Sequence, residues 1–96
     1  MPYVLKNRNT SEIFSCNLIN KYDFEYHGAK SWEEEEEAIN ESIPFLELNV
    51  PGEISGWEIY KVDEMKMKMF NVKLNNNPAR RLFLDADGKA FITADN

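Results

Sequence analysis

Ninety-six residues, 43% hydrophobic and 12% aromatic, suffice for one packed core and exclude both a multidomain enzyme and a disordered chain. Seventeen acidic and 11 basic side chains leave a formal charge of −6, which disfavours nucleic acid as a partner. That total hides a strong polarity: residues 1–30 carry a net charge of about +1, residues 31–64 about −10 and residues 65–96 about +3.

Residues 1–9 lack the apolar core of a signal peptide, and no apolar run approaches the roughly 20 residues that span a bilayer. The single cysteine, Cys16, forms no intramolecular disulfide and suits a reducing compartment. The expectation is a single domain, 1–96, in the cytoplasm.

Tyr3-Val4-Leu5 reads as a strand and Asn7-Arg8-Asn9-Thr10-Ser11 as a turn. Two alternating blocks follow, with Phe14, Cys16 and Leu18 on one side of the first and Tyr22, Phe24 and Tyr26 on one side of the second. A hairpin with a three-residue loop, 19–21, pairs Leu18 with Tyr22 and Cys16 with Phe24, which merges the two apolar faces. A two-residue loop would set them on opposite faces. Asn20 is the residue expected at positive φ in that loop.

A helix is expected over about 32–43. Ser31-Trp32-Glu33-Glu34 has the spacing of a capping box, acids crowd the first turn, and Pro44 marks the end. Trp32, Ile39 and Ile43 form its apolar stripe. Beyond it, Leu46, Leu48 and Val50 alternate like a strand, and residues 57–62 are apolar on both sides, as in a central strand. Asp63-Glu64 reads as a corner. Residues 65–74 read as a strand whose apolar phase switches from Met65, Met67 and Met69 to Phe70, Val72 and Leu74, as at a bulge. Asn75-Asn76-Asn77-Pro78 is a loop, and residues 82–92 form a hairpin about Asp85-Ala86-Asp87-Gly88. The fold class is α+β, an antiparallel sheet of about six to eight short strands with one helix packed against it.

The chemistry-bearing residues are sparse. Cys16 and His27 lie on opposite sides of their hairpin, so they make no catalytic pair, and His27 reads as a surface or strand-end residue. The Asp85–Gly88 segment lacks a third oxygen ligand before its glycine and the bidentate glutamate six residues beyond, where Ala94 stands. Zinc ligands do not cluster, the four glycines form no phosphate loop, and no metal or cofactor is expected. Lys66, Lys68, Lys73, Arg80 and Arg81, with Phe70 and Phe83, are the only basic cluster, and it reads first as the solvated side of a strand. Met65, Met67 and Met69 read as gap-fillers in the core.

The glutamate run is the sharpest signal. As solvated helix surface it complements the helix dipole, yet adjacent like charges repel, and the acids continue through Glu47, Glu53, Glu58, Asp63 and Glu64 almost uncompensated. The expected function is a non-enzymatic protein-interaction module of inhibitor, immunity or regulatory type. It presents Glu33, Glu34, Glu35, Glu37 and Glu41 to a basic partner surface. The alternatives are a self-associating accessory protein whose segment 65–74 meets the acidic face of another copy, and a small-molecule binder or enzyme built on Tyr22, Tyr26, Trp57 and Tyr60.

Overall fold

A computed structural model describes residues 1–94. Among these, the chain forms eight strands and two α-helices: β1 (Tyr3–Asn7), β2 (Glu12–Ile13), β3 (Ser15–Ile19), β4 (Glu25–Ala29), β5 (Ser31–Trp32), α1 (Glu35–Asn49), β6 (Trp57–Lys61), α2 (Glu64–Leu74), β7 (Arg80–Leu84) and β8 (Ala90–Ala94). The α+β class and the antiparallel pairing are as expected, but the second helix is not.

β1 organises the main sheet. Along one side it pairs with the whole of β6, from Tyr3↔Lys61 to Asn7↔Trp57. Along the other it pairs with β5 near its start and β2 near its end. From β2 the sheet continues through β7 to β8. The β3–β4 hairpin is an excursion between β2 and β5. Its base is closed where the Phe14 N–H donates to the Leu5 carbonyl (2.9 Å) and the Lys30 N–H to the Phe14 carbonyl (3.0 Å).

Both faces of β1 are covered. Val4 joins Ile13, Ala29, Leu82 and Leu84 in the core beneath α2, which contributes Phe70 and Leu74. Leu5 joins Phe14, Trp32 and Trp57 in the core beneath α1, which contributes Ala38 and Leu46. Adjacent residues of a strand point to opposite faces, so the two helices lie on opposite sides of the sheet. This explains β6, which is apolar on both sides yet an edge strand rather than a central one: Trp57 and Ile59 face α1, while Tyr60 and Val62 face α2.

The segment read as a bulged strand is α2. Asp63, read as a corner, is its N-cap, with its carboxylate accepting the Lys66 N–H at 2.6 Å. Asn75, at φ 50°, ends the helix in the left-handed conformation. Met and Lys favour helix, and Val72 alone is β-branched. The apparent phase switch is a 3.6-residue period sampled at two, because Met67, Phe70 and Leu74 lie on one helical face.

The boundaries of α1 also differ from the expected 32–43. Ser31–Trp32 is strand β5, and the cap lies at Glu34, whose N–H donates to the Glu37 carboxylate at 3.3 Å. Pro44 lies inside the helix, which runs on to Asn49 through the residues expected as a strand. The missing N–H and ring crowding oppose this by about 3 kcal/mol or more, and tertiary packing offsets it. Leu46 is buried, and the Phe45 ring meets Phe14 edge-on at 5.2 Å and Trp32 at 5.9 Å. The buried row is Ala38, Ser42 and Leu46, whose small members let the helix lie close to the sheet. Ile39 and Ile43, expected on the stripe, are exposed, and Trp32 is buried from β5 instead.

The β3–β4 loop spans residues 20–24, five rather than three. Its odd length preserves the expected facing, but the register becomes Cys16↔Gly28 and Leu18↔Tyr26. Tyr22 and Phe24 therefore lie exposed in the loop. Asp23 (φ 62°), not Asn20, takes the left-handed conformation, while the Asn20 carboxamide accepts the N–H groups of Tyr22 (2.8 Å) and Phe24 (3.1 Å). Two asparagine oxygens satisfy the outer edge of β4: Asn71 Oδ1 accepts the Ala29 N–H (3.0 Å) and Asn76 Oδ1 the His27 N–H (2.7 Å). A Cβ at Gly28 would stand 2.9 Å from Asn71 Oδ1 and 2.8 Å from the Tyr26 ring.

Two substitutions check this arrangement. Phe70→Ala should cost about 3–5 kcal/mol in urea unfolding, whereas Val72→Ala should change stability by under about 0.5 kcal/mol; equal costs would favour a strand, where the two share a face. Gly28→Ala should destabilise by about 1–3 kcal/mol by displacing Asn71 or the Tyr26 ring.

Candidate functional site

Helix α1 begins among acids because the N-terminal amides and dipole favour negative charge there. Glu33, Glu34, Glu35, Glu37 and Glu41 are all exposed, as are Glu36 and Glu47. Glu34 and Glu37 also form the capping box, and Glu35 and Glu36 complement the dipole in the first turn, which leaves Glu33, Glu41 and Glu47 with no part in the helix start. Among the described residues no cation lies within ion-pair distance of any of these seven. The ion pairs found there are elsewhere: Arg8 binds Glu58 at 3.1 Å and Arg81 binds Glu12 at 2.7 Å.

The acidic belt of residues 31–64 does not fold into one continuous face. Glu58 is paired with Arg8, and Asp63 and Glu64 start α2 on the opposite side of the sheet. What remains is the α1 face with Glu53 beyond it, and it is not purely acidic. Ile39, Ile43 and Leu48 are exposed on α1. Ile39 and Ile43 border a cleft of about 300 Å³ whose other walls include Ile54, Trp57 and Ile59. The sequence signal for this feature is the row Ala38, Ser42 and Leu46, spaced at i, i+4 and i+8, whose burial turns Ile39 and Ile43 outward.

The opposite side of the molecule carries a different surface. Between α2 and the β7–β8 turn lies an open cleft of about 540 Å³ bordered by Met65, Met69, Lys66, Lys73 and Lys89. Met67 packs against the core, but Met65 and Met69 are exposed, so the methionines divide between the roles of core filler and surface. Phe70 is fully buried and offers no stacking platform. Arg81 is held by Glu12, and Arg80 donates to the Lys73 carbonyl at 2.8 Å. The aromatic residues Tyr22, Tyr26, Trp57 and Tyr60 are not gathered around one cleft: Trp57 faces α1, Tyr60 faces α2 with Lys6 over its ring, and Tyr22 lies in the β3–β4 loop.

The remaining candidates are structural. Asp85 Oδ1 accepts the N–H groups of Asp87 and Lys89, both at 2.9 Å, and Gly88 takes φ 81°, so this segment is a hairpin turn. Among the described residues no three metal-ligating side chains cluster. Cys16 is half-buried against the α1 core; burial pushes its thiol pKa up, and Lys30 pulls it partly back. His27, expected at the surface, is 9% exposed, and among the described residues neither ring nitrogen has a partner. Its burial follows from α2 packing on β4, which Asn71 and Asn76 hold through the Ala29 and His27 N–H groups. Burial lowers its pKa.

No family model, curated protein or solved structure matches the chain.

A depressed His27 pKa means that folding favours the neutral ring. The resulting stability is fully present above the unfolded value of about 6.5 and is lost as pH falls through it toward the folded pKa. Between about pH 7.5 and about pH 5, urea unfolding of the native protein should lose more stability than that of His27→Leu; parallel curves would show that the ring stays hydrated.

Proposed function

We propose that the protein is a non-enzymatic interaction module that docks the acidic face of α1 on a basic surface of a protein partner. The observation that carries this reading is the set of exposed carboxylates on and just before α1 that make no ion pair among the described residues, while Arg8 and Arg81 pair with Glu58 and Glu12. Mutual repulsion of such charges costs stability, and a cationic partner relieves it. The exposed Ile39 and Ile43 beside the cleft share their side of α1 with Glu36 and Glu47 and add apolar contact to a charged surface. Steering by the helix charge speeds encounter, and contact at the isoleucines holds the complex. Inhibitor, immunity and regulatory roles all use this physics. A reducing, cytoplasmic setting suits the lone Cys16, and no described helix is long and apolar enough to cross a membrane.

Immobilised protein should retain basic proteins from the source cell's lysate. Glu33→Lys, Glu35→Lys and Glu41→Lys together spare the Glu34–Glu37 cap and should weaken that capture by roughly tenfold or more. Glu25→Lys with Asp87→Lys, placed away from α1, should leave it intact. Equal capture by both variants refutes the reading, provided thermal melts show both to be folded.

A further inference from the structure

Helix α2 has an unpartnered face of its own. Met65, Met69 and Val72 follow one another at i, i+4 and i+7, so they form a single line along the outside of the helix. Met65 is 72% exposed and Val72 63%. Lysines flank the line, Lys66 and Lys73 on one side and Lys68 on the other. On the opposite side of the sheet, α1 presents the reverse combination. Leu48, 86% exposed, falls at i+7 from Glu41 and i+11 from Glu37, so an apolar residue shares a row with acids. One molecule thus carries an apolar stripe edged with cations on α2 and, on the opposite side of the sheet, an acidic row with a single exposed leucine on α1.

We infer that the α2 face receives the α1 face of a second copy of this chain. The inference rests on α1 being the docking face and commits its partner to an identical molecule. The two patches are different surfaces on opposite sides of one sheet, so the contact is heterologous: each copy that docks through α1 leaves its own α2 free, and copies add head to tail. The net charge of −6 opposes assembly at long range, but at a Debye length of about 8 Å the local Lys–Glu contacts outweigh it. The eleven residues of α2 span only about 16 Å, so the contact falls below the ~1,200 Å² of a stable interface. Assembly is therefore weak, graded with concentration and dissolved by salt.

Sedimentation of the purified protein over about a hundredfold concentration range tests this. At low salt the mean mass should rise steadily with concentration without stopping at a dimer, and it should return to that of the monomer in about 1 M salt, where screening reaches about 3 Å. Two capped variants identify the surfaces. Glu41→Lys with Leu48→Lys blocks the α1 side, and Met69→Ser with Val72→Ser blocks the α2 side. Each alone should remain monomeric, and their mixture should stop at a one-to-one dimer, because only one complementary pair of faces survives. A monomer at every concentration, a closed dimer of the native protein, or growth that persists in either capped variant overturns the inference. A native protein that stays monomeric yet captures a foreign basic partner overturns this inference alone, whereas capture that does not depend on Glu33, Glu35 and Glu41 removes the reading of α1 on which it rests.

Discussion

The structure depends on β1 serving two cores at once. Val4 is 0% exposed beneath α2 and the adjacent Leu5 is 1% exposed beneath α1, so a one-residue slip of β1 would exchange the side chains of both cores together. Three strands pair with this one, and their registers are therefore held by packing on two faces rather than one. A chain of this length buries little surface in total, and covering the sheet on both sides uses it economically.

Packing at those two cores also decides what is left outside. On α1, Ala38, Ser42 and Leu46 occupy the contact with the sheet, which turns Ile39, Ile43 and Leu48 outward among the glutamates. On α2, Phe70 and Leu74 fill the core, and Met65, Met69 and Val72 remain in water between lysines. The exposed apolar residues are thus the complement of two well-filled helix–sheet contacts, and their opposite charged borders follow from the charge asymmetry along the chain. An interaction role requires this combination, since charge alone steers encounters and apolar contact retains them.

Asparagine side chains on α2 and in the loop after it act as structural parts. Asn71 and Asn76 accept the outward N–H groups of β4, substituting for a neighbouring strand at an edge otherwise left unpaired. Gly28 permits the close approach on which the Asn71 bond depends. The same closure buries His27 with no partner for its ring among the described residues, a cost accepted where β4 meets α2.

Sequence alone determined the features that rest on local chemistry. These include the turns at residues 7–11, 75–78 and 85–88, the odd parity of the β3–β4 loop, the existence of an acid-led helix before Pro44, and the concentration of negative charge on it. Glu33, Glu34, Glu35, Glu37 and Glu41 were legible as exposed acids because no folded core accepts unpaired carboxylates. Tertiary structure decided the rest. The alternating Met and Lys residues of 65–74 carry a two-residue and a 3.6-residue period together, and the tie was broken by Phe70 and Leu74 meeting Val4, Ile13 and Leu82. α1 passes through Pro44 because Phe45 and Leu46 find Phe14 and Trp32 beneath them. Hydrogen-bonding chemistry and spacing are properties of neighbours in the chain, whereas which face is buried depends on residues brought together from distant positions.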